Sequence, residues 1–208
     1  MRAIYCYIII TILLLSGSIS CDKAPLAPKN QVHSIQKVLY SQNKKVHNLF
    51  KIAENGDEKT LVKLLKMGSD VNSQDRFGDT ILHSAAQWND TSMLEKVLKF
   101  KPNLLLQNKQ GQTSLMLAAE ESAIEVLQIL LGYMKKYQKT KMKSWLNLND
   151  ELGNTALYWA VNAQCFHCVK ELLKYPVRIT KNKEGIDPLL LTKEHHLQGI
   201  ANLLLKKL

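Results

Sequence analysis

Between residues 45 and 208 short apolar runs come in pairs, each pair followed by a polar turn. The first run of a pair is dense and built partly of small residues, as in Ile81-Leu82-His83-Ser84-Ala85-Ala86, Ser114-Leu115-Met116-Leu117-Ala118-Ala119 and Ala156-Leu157-Tyr158-Trp159-Ala160-Val161. The second run is spaced for one buried helical face: Leu61-Val62-Lys63-Leu64-Leu65, Met93-Leu94-Glu95-Lys96-Val97-Leu98, Ile124 to Leu131, and Val169-Lys170-Glu171-Leu172-Leu173. The pattern predicts an all-α chain of helix-turn-helix units, in which alanine pairs let the first helices approach closely.

The turns repeat as well. Gly78, Gly111, Gly153 and Gly185 stand 33, 42 and 32 residues apart, each three residues after Asp75, Asn108, Asp150 or Asn182. At that spacing a short polar side chain bonds local backbone while glycine takes a positive φ. Thr80, Thr113 and Thr155 stand where a side-chain oxygen caps the helix that follows. A period near 33 marks stacked units, none of which buries its apolar side alone.

These residues closely resemble the ankyrin repeat family, whose phrase Asp-x-x-Gly-x-Thr-Pro-Leu-His-x-Ala-Ala is followed from Asp75 to Ala86 with Ile81 in place of proline. Met116 and Tyr158 replace the histidine in the next two units, and the last keeps Pro188 but loses the threonine and both alanines, as a polar terminal cap does. An opening unit runs from about Lys45 through Leu49, Ala53 and Gly56 to Gly68-Ser69-Asp70-Val71-Asn72. The resemblance implies a solenoid of about five units, bounded near 45–77, 78–110, 111–152, 153–184 and 185–208.

The 42-residue interval leaves 9 extra residues in the third unit, within Tyr133 to Ser144. This stretch carries Lys135, Lys136, Lys139, Lys141 and Lys143 and no acid. It reads as a longer second helix or loop with a solvated basic face. The other reading is a docking patch for an acidic partner or anionic lipid.

The first 20 residues have the form of a secretory signal peptide: Arg2, an uncharged run from Ala3 to Leu15, then small residues up to Cys21. Cys21 resembles the lipidated cysteine of bacterial lipoproteins, although Ser18 stands where leucine is usual. That resemblance implies lipid on Cys21 and a cell-envelope location, on the periplasmic face or the outer surface. Ordinary cleavage giving a soluble secreted or periplasmic protein, and a retained apolar anchor, are the competing readings. Residues 21–44, with Pro25 and Pro28, read as a tether with room for a short helix.

The formal net charge is +10, and +9 once Arg2 leaves with the leader. Export and the spread of lysines over the second helices, without interleaved aromatics, argue against nucleic acid. Cys165 and Cys168 remain after processing. Cys-x-x-Cys admits a thiol-disulfide redox reading, but the repeat frame puts Cys168 in the core and Cys165 at an inter-helix junction, as buried or passively linked cysteines. No metal site, cofactor motif or enzyme constellation is expected; His83 reads as structural, and Tyr158 and Trp159 as packing residues.

What remains is a recognition surface. The family resemblance implies that a partner protein meets the turn tips and the exposed side of the first helices. Here these are Arg76, Phe77, Asp79, Gln87 and Trp88, then Lys109, Gln110, Gln112, Glu120 and Glu121. Glu151, Leu152, Asn154 and Asn162 follow, and Lys183, Glu184, Ile186, Glu194 and His195 complete the row. Phe77 and Trp88 are the expected apolar anchors. The expected role is a membrane-anchored adaptor, scaffold or protector of an envelope protein, or a surface lipoprotein that meets a host.

Overall fold

The computed structural model describes residues 49–207, and every regular element among them is helical. The leader, Cys21, the tether and residues 45–48 of the opening unit lie outside the described residues.

A helical segment at residues 49–54 (α1) opens the described chain. It is followed by α2 (Glu58–Lys66), α3 (Ile81–Gln87), α4 (Thr91–Leu98), α5 (Ser114–Glu120) and α6 (Ile124–Tyr137). A 3-10 turn (Lys139–Lys141) and α7 (Met142–Leu146) precede α8 (Ala156–Asn162), α9 (Phe166–Leu172), α10 (Pro188–Glu194) and α11 (Gln198–Leu205). The first helices α3, α5, α8 and α10 pack each on the next and form an inner row. The second helices α2, α4, α6, α9 and α11 do the same and form an outer row.

The small residues of the inner row explain its density. Every residue from Ser114 to Ala119 in α5 is buried, because the helix lies between α3 and α8 with α6 behind it. The outer helices are one-sided: α4 buries Met93, Leu94, Val97 and Leu98 and leaves Glu95 in solvent. Caps start both kinds of helix. The hydroxyls of Thr113 and Thr155 accept from the amides of Met116 and Tyr158 at 3.4 and 3.3 Å. Asp57 and Asp90 cap α2 and α4 by accepting from Thr60 and Met93. In the final unit, where the threonine is missing, Asp187 accepts from the Leu190 amide at 2.9 Å with Pro188 at the first helical position.

The extra residues of the third unit lengthen its second helix to 14 residues and add the return through α7. All five lysines point to solvent, as expected of a solvated basic face. The insertion also contributes to the core: Met134, Met142, Trp145 and Leu146 are buried. The indole N–H of Trp145 donates to the Leu104 carbonyl at 2.9 Å, which fastens the return to the preceding unit.

Candidate functional site

The concave face is organised by its turns. Asp75, Asn108, Asp150 and Asn182 each accept, through Oδ1, from the amides two and four residues ahead at 2.8–3.0 Å. Adjacent turns are joined through backbone: Lys109 N–H to Phe77, Glu151 N–H to Gln110 and Lys183 N–H to Leu152, each at 2.9 Å. Gln74 and Gln107 add a second strand of bonds. Gln74 Nε2 donates within its own turn to Gly78 and across to Gln107, and Gln107 Nε2 does so to Gly111 and Asn149. The glutamines recur one residue before the Asp or Asn, a register that marks them in the sequence although their role there was missed.

The close approach of turns requires glycine at Gly111. Its φ is +76°, and a Cβ there would lie 2.7 Å from the Glu151 amide nitrogen. No side chain fits that gap without moving backbone.

His83 belongs to this scaffold. Its Nδ1 accepts from the Thr80 amide at 3.0 Å, so the proton rests on Nε2, which donates to the Gln112 carbonyl of the next turn at 3.0 Å. Burial lowers the pKa of the imidazole, while Asp79, the bond to Gln112 and Asp75 pull the other way. A neutral, doubly bonded histidine is a strut between repeats.

Eight of the expected recognition residues come together around one groove of about 500 Å³: Asp79, Gln87, Gln110, Gln112, Glu120, Glu121, Glu151 and Leu152. Asn108, Leu117, Asp150 and Trp159 complete its lining. Arg76, Phe77 and Lys109 stand on the exposed turn tips, with the Arg76 guanidinium 4.6 Å from the Phe77 ring centre, and Trp88 closes the end of α3. Phe77, Trp88 and Leu152 are about half exposed, as apolar anchors must be. Asn162, Lys183, Glu184, Glu194 and His195 are exposed beyond the groove.

Several expectations need correction. Gln112 and Asn154 are buried rather than free. The Gln112 amide donates to Glu120 at 2.9 Å, and Asn154 bonds Asp150 and Asn182 at 3.2 and 2.9 Å. Both follow the turn glycine; Asn154 ties its turn to the next through Asn182, while Gln112 bonds within its own unit. Ile186 is half-buried against the core. Trp159 packs against the core as expected and also lines the groove, where its Nε1–H donates to Asp150 Oδ2 at 2.9 Å, which ties the indole to another lining residue. Its signal was the helical register that puts it beside Leu117 of the preceding unit.

The cysteines form a disulfide, with Cys168 fully buried and Cys165 capping α9 through its sulfur, 3.2 Å from the Cys168 amide. Among the described residues no group of three or more His, Cys, Asp or Glu side chains converges as a metal would require, and no helix is long and apolar enough to cross a membrane.

With this geometry in place, the comparisons agree. Residues 49–143 match a family model described as ankyrin repeats in three copies, and residues 152–182 match the single ankyrin repeat. The chain belongs to the ankyrin repeat family, a family of protein-interaction modules. A comparison with curated proteins finds no match.

Proposed function

We propose that the protein is a membrane-anchored binding module of the cell envelope that holds another protein on its concave face. One observation carries the reading: the inner row presents an open groove with half-exposed Leu152 in its lining, and the turn before it and the end of α3 carry the half-exposed Phe77 and Trp88. Exposed aromatics beside a fixed polar floor are what an interface uses as anchors. The groove is lined by carboxylates, carboxamides and two leucines, with Trp159 as its aromatic residue, a lining suited to recognition.

Anchorage rests on the leader and Cys21. The chemistry is that of a lipoprotein, in which the Cys21 thiol carries diacylglycerol and becomes the mature N-terminus. Replacing Cys21 with alanine should leave the protein unprocessed or release it from membranes. An intact Met1 on the membrane-bound protein, read by mass spectrometry, would overturn the anchor.

A photo-crosslinking residue at Trp88 or Gln110 should capture a partner in the native cell, and one at Lys99 on the outer row should not. The insertion supports a second contact: its five lysines are exposed beside Tyr137, itself 61% exposed, which suits an acidic partner or anionic lipid surface. Capture only from Lys135 or Lys139 would move the site from the groove to the insertion.

A further inference from the structure

We infer that the groove receives an arginine or lysine side chain from an extended basic segment of the partner protein, seated between the Trp159 indole and the carboxylates of Glu120, Glu121 and Glu151. The inference rests on the reading of the concave face as the docking surface and names the chemistry it selects.

The charge arrangement is the first observation. The groove is lined by Asp79, Glu120, Glu121, Asp150 and Glu151, with no lysine, arginine or histidine, in a protein of formal net charge +10. A basic chain that keeps its bases off one concavity has built a local field opposite in sign to its total charge. The exposed bases of the turns, Arg76, Lys109 and Lys183, stand on the turn tips and not in the lining.

Second, these carboxylates have no cationic partner among the described residues. The two ion pairs among the described residues, Lys96–Glu58 and Lys174–Glu171, both belong to the outer row. In the groove the donors are neutral: Gln112 to Glu120, and Trp159 and Asn154 to Asp150. Burial raises the pKa of Glu120; the Gln112 bond partly offsets this, and Glu121 and Asp150 add repulsion. An incoming cation offsets the repulsion and favours the charged carboxylate against the cost of its burial.

Third, the shape suits a long cationic side chain. Leu117 and Leu152 offer apolar surface for its methylene stem, and Trp159 adds an aromatic ring to the same lining, the group that attracts a charged head. The negative field continues past Trp159: Glu184 and Glu194, with Asp150, add to the burial that raises the Tyr158 pKa. A ribbon of this kind matches several basic residues along one chain rather than a single small cation. The half-exposed Phe77 and Trp88 favour a polypeptide with apolar residues between its charges.

The test uses the full-length protein and two fluorescein-labelled nine-residue peptides, Leu-Arg-Gly repeated three times and its Leu-Glu-Gly counterpart. Anisotropy should show the arginine peptide binding at least tenfold more tightly, with affinity falling as salt rises from 50 to 200 mM. The triple variant Glu120→Gln, Glu121→Gln, Glu151→Gln should lose at least tenfold, at unchanged helix content, while Lys135→Gln with Lys139→Gln should leave binding as it was. Equal binding of both peptides, or undiminished binding to the folded triple variant, overturns the cationic assignment. Self-association dispersed by that variant would assign the groove to the basic outer face of a second copy and likewise overturn it. The broader reading fails separately: a crosslinked cellular partner lost on neutralising the insertion, but kept when Phe77, Trp88 and the three glutamates are all replaced, excludes the groove. A partner lost with Trp88→Ala yet kept by the triple variant removes only the charge assignment.

Discussion

The inner and outer rows belong to the same repeats, yet they treat polar groups in opposite ways. On the outer row Lys59, Lys63, Lys66, Lys99 and Lys170 stand in water as separate charges on one-sided helices. On the inner side Asn108, Gln112, Asp150, Asn154 and His83 are buried and tied to turns in their own or a neighbouring unit. Among the described residues no buried side-chain nitrogen or oxygen lacks a partner. The comparison separates two meanings of charge: the total describes the outer face, while the inner face carries a local pattern of the other sign.

Breaking the inner row should have the largest effect. Leu115 is fully buried in α5, between α3 and α8. Leu115→Asp buries an unpaired charge and should cost about 4 kcal/mol or more. Because stability is shared between neighbours, thermal circular dichroism should lose more helix than one repeat holds. Leu152→Asp, at a site 55% exposed, should stay within about 0.5 kcal/mol. Equal costs at the two sites would remove the distinction between interior and tip.

A glycine pair sharpens the same contrast. Gly111 and Gly185 have φ of +76° and +81°, so alanine strains both backbones alike, at about 1 kcal/mol. Only Gly111 faces the backbone of a following turn; nothing lies within 4 Å of the Cβ position at Gly185. Gly111→Ala should therefore cost about 2 kcal/mol more than Gly185→Ala, read as a lower urea midpoint. Equal midpoints would mean that the turns do not rely on this contact.

These two tests use features that repetition made legible. Glycine, Asp or Asn, threonine, leucine and alanine recur because each answers a local demand of turn, cap or close packing, and local demands show in sequence. Depth does not. The residue after the turn glycine is half-exposed as Asp79 but buried as Gln112 and Asn154, since its burial depends on the neighbouring repeat. The same limit hid Trp159 on the groove and Trp145 under the insertion, where lysines dominate the local composition while the indole reaches Leu104 far back in the chain. Phe77 and Trp88 were legible as exposed because the turn tip and the helix end are outside packing in any stack.

Binding should follow the exposed aromatics. Truncating a true anchor costs about 2 kcal/mol, so Trp88→Ala should weaken partner capture roughly thirtyfold while leaving helix content unchanged. Neutralising Lys135, Lys136 and Lys139 should slow association in a salt-dependent manner and leave dissociation nearly unaltered. The reverse outcome would make the outer, basic side the recognition surface.

The smallest effect is a pH dependence that belongs to the inner side. Burial lowers the His83 pKa below the ordinary 6.5, so the unfolded chain takes up the proton first. The stability this neutral histidine contributes is whole above about pH 6.5 and is lost as pH falls toward the folded value, by at most about 1.4 kcal/mol per pH unit for one proton. Glu120 acts in the opposite direction in a lower window. Its folded pKa is raised above 4.5, so the folded state protonates first, and acidification through the region just above 4.5 relieves the protein. On the outer row Glu58, held below 4.5 chiefly by its hydrogen bond from Lys96, gives up its contribution only beneath that value. Urea unfolding from pH 7.5 to 5.5 should therefore show falling stability in the parent protein. His83→Gln should remove most of that slope, and Glu120→Gln should leave the upper part of the window unchanged. A His83→Gln protein with the parent slope would show that the proton is taken up elsewhere, and that the strut between Thr80 and Gln112 tolerates a charged ring.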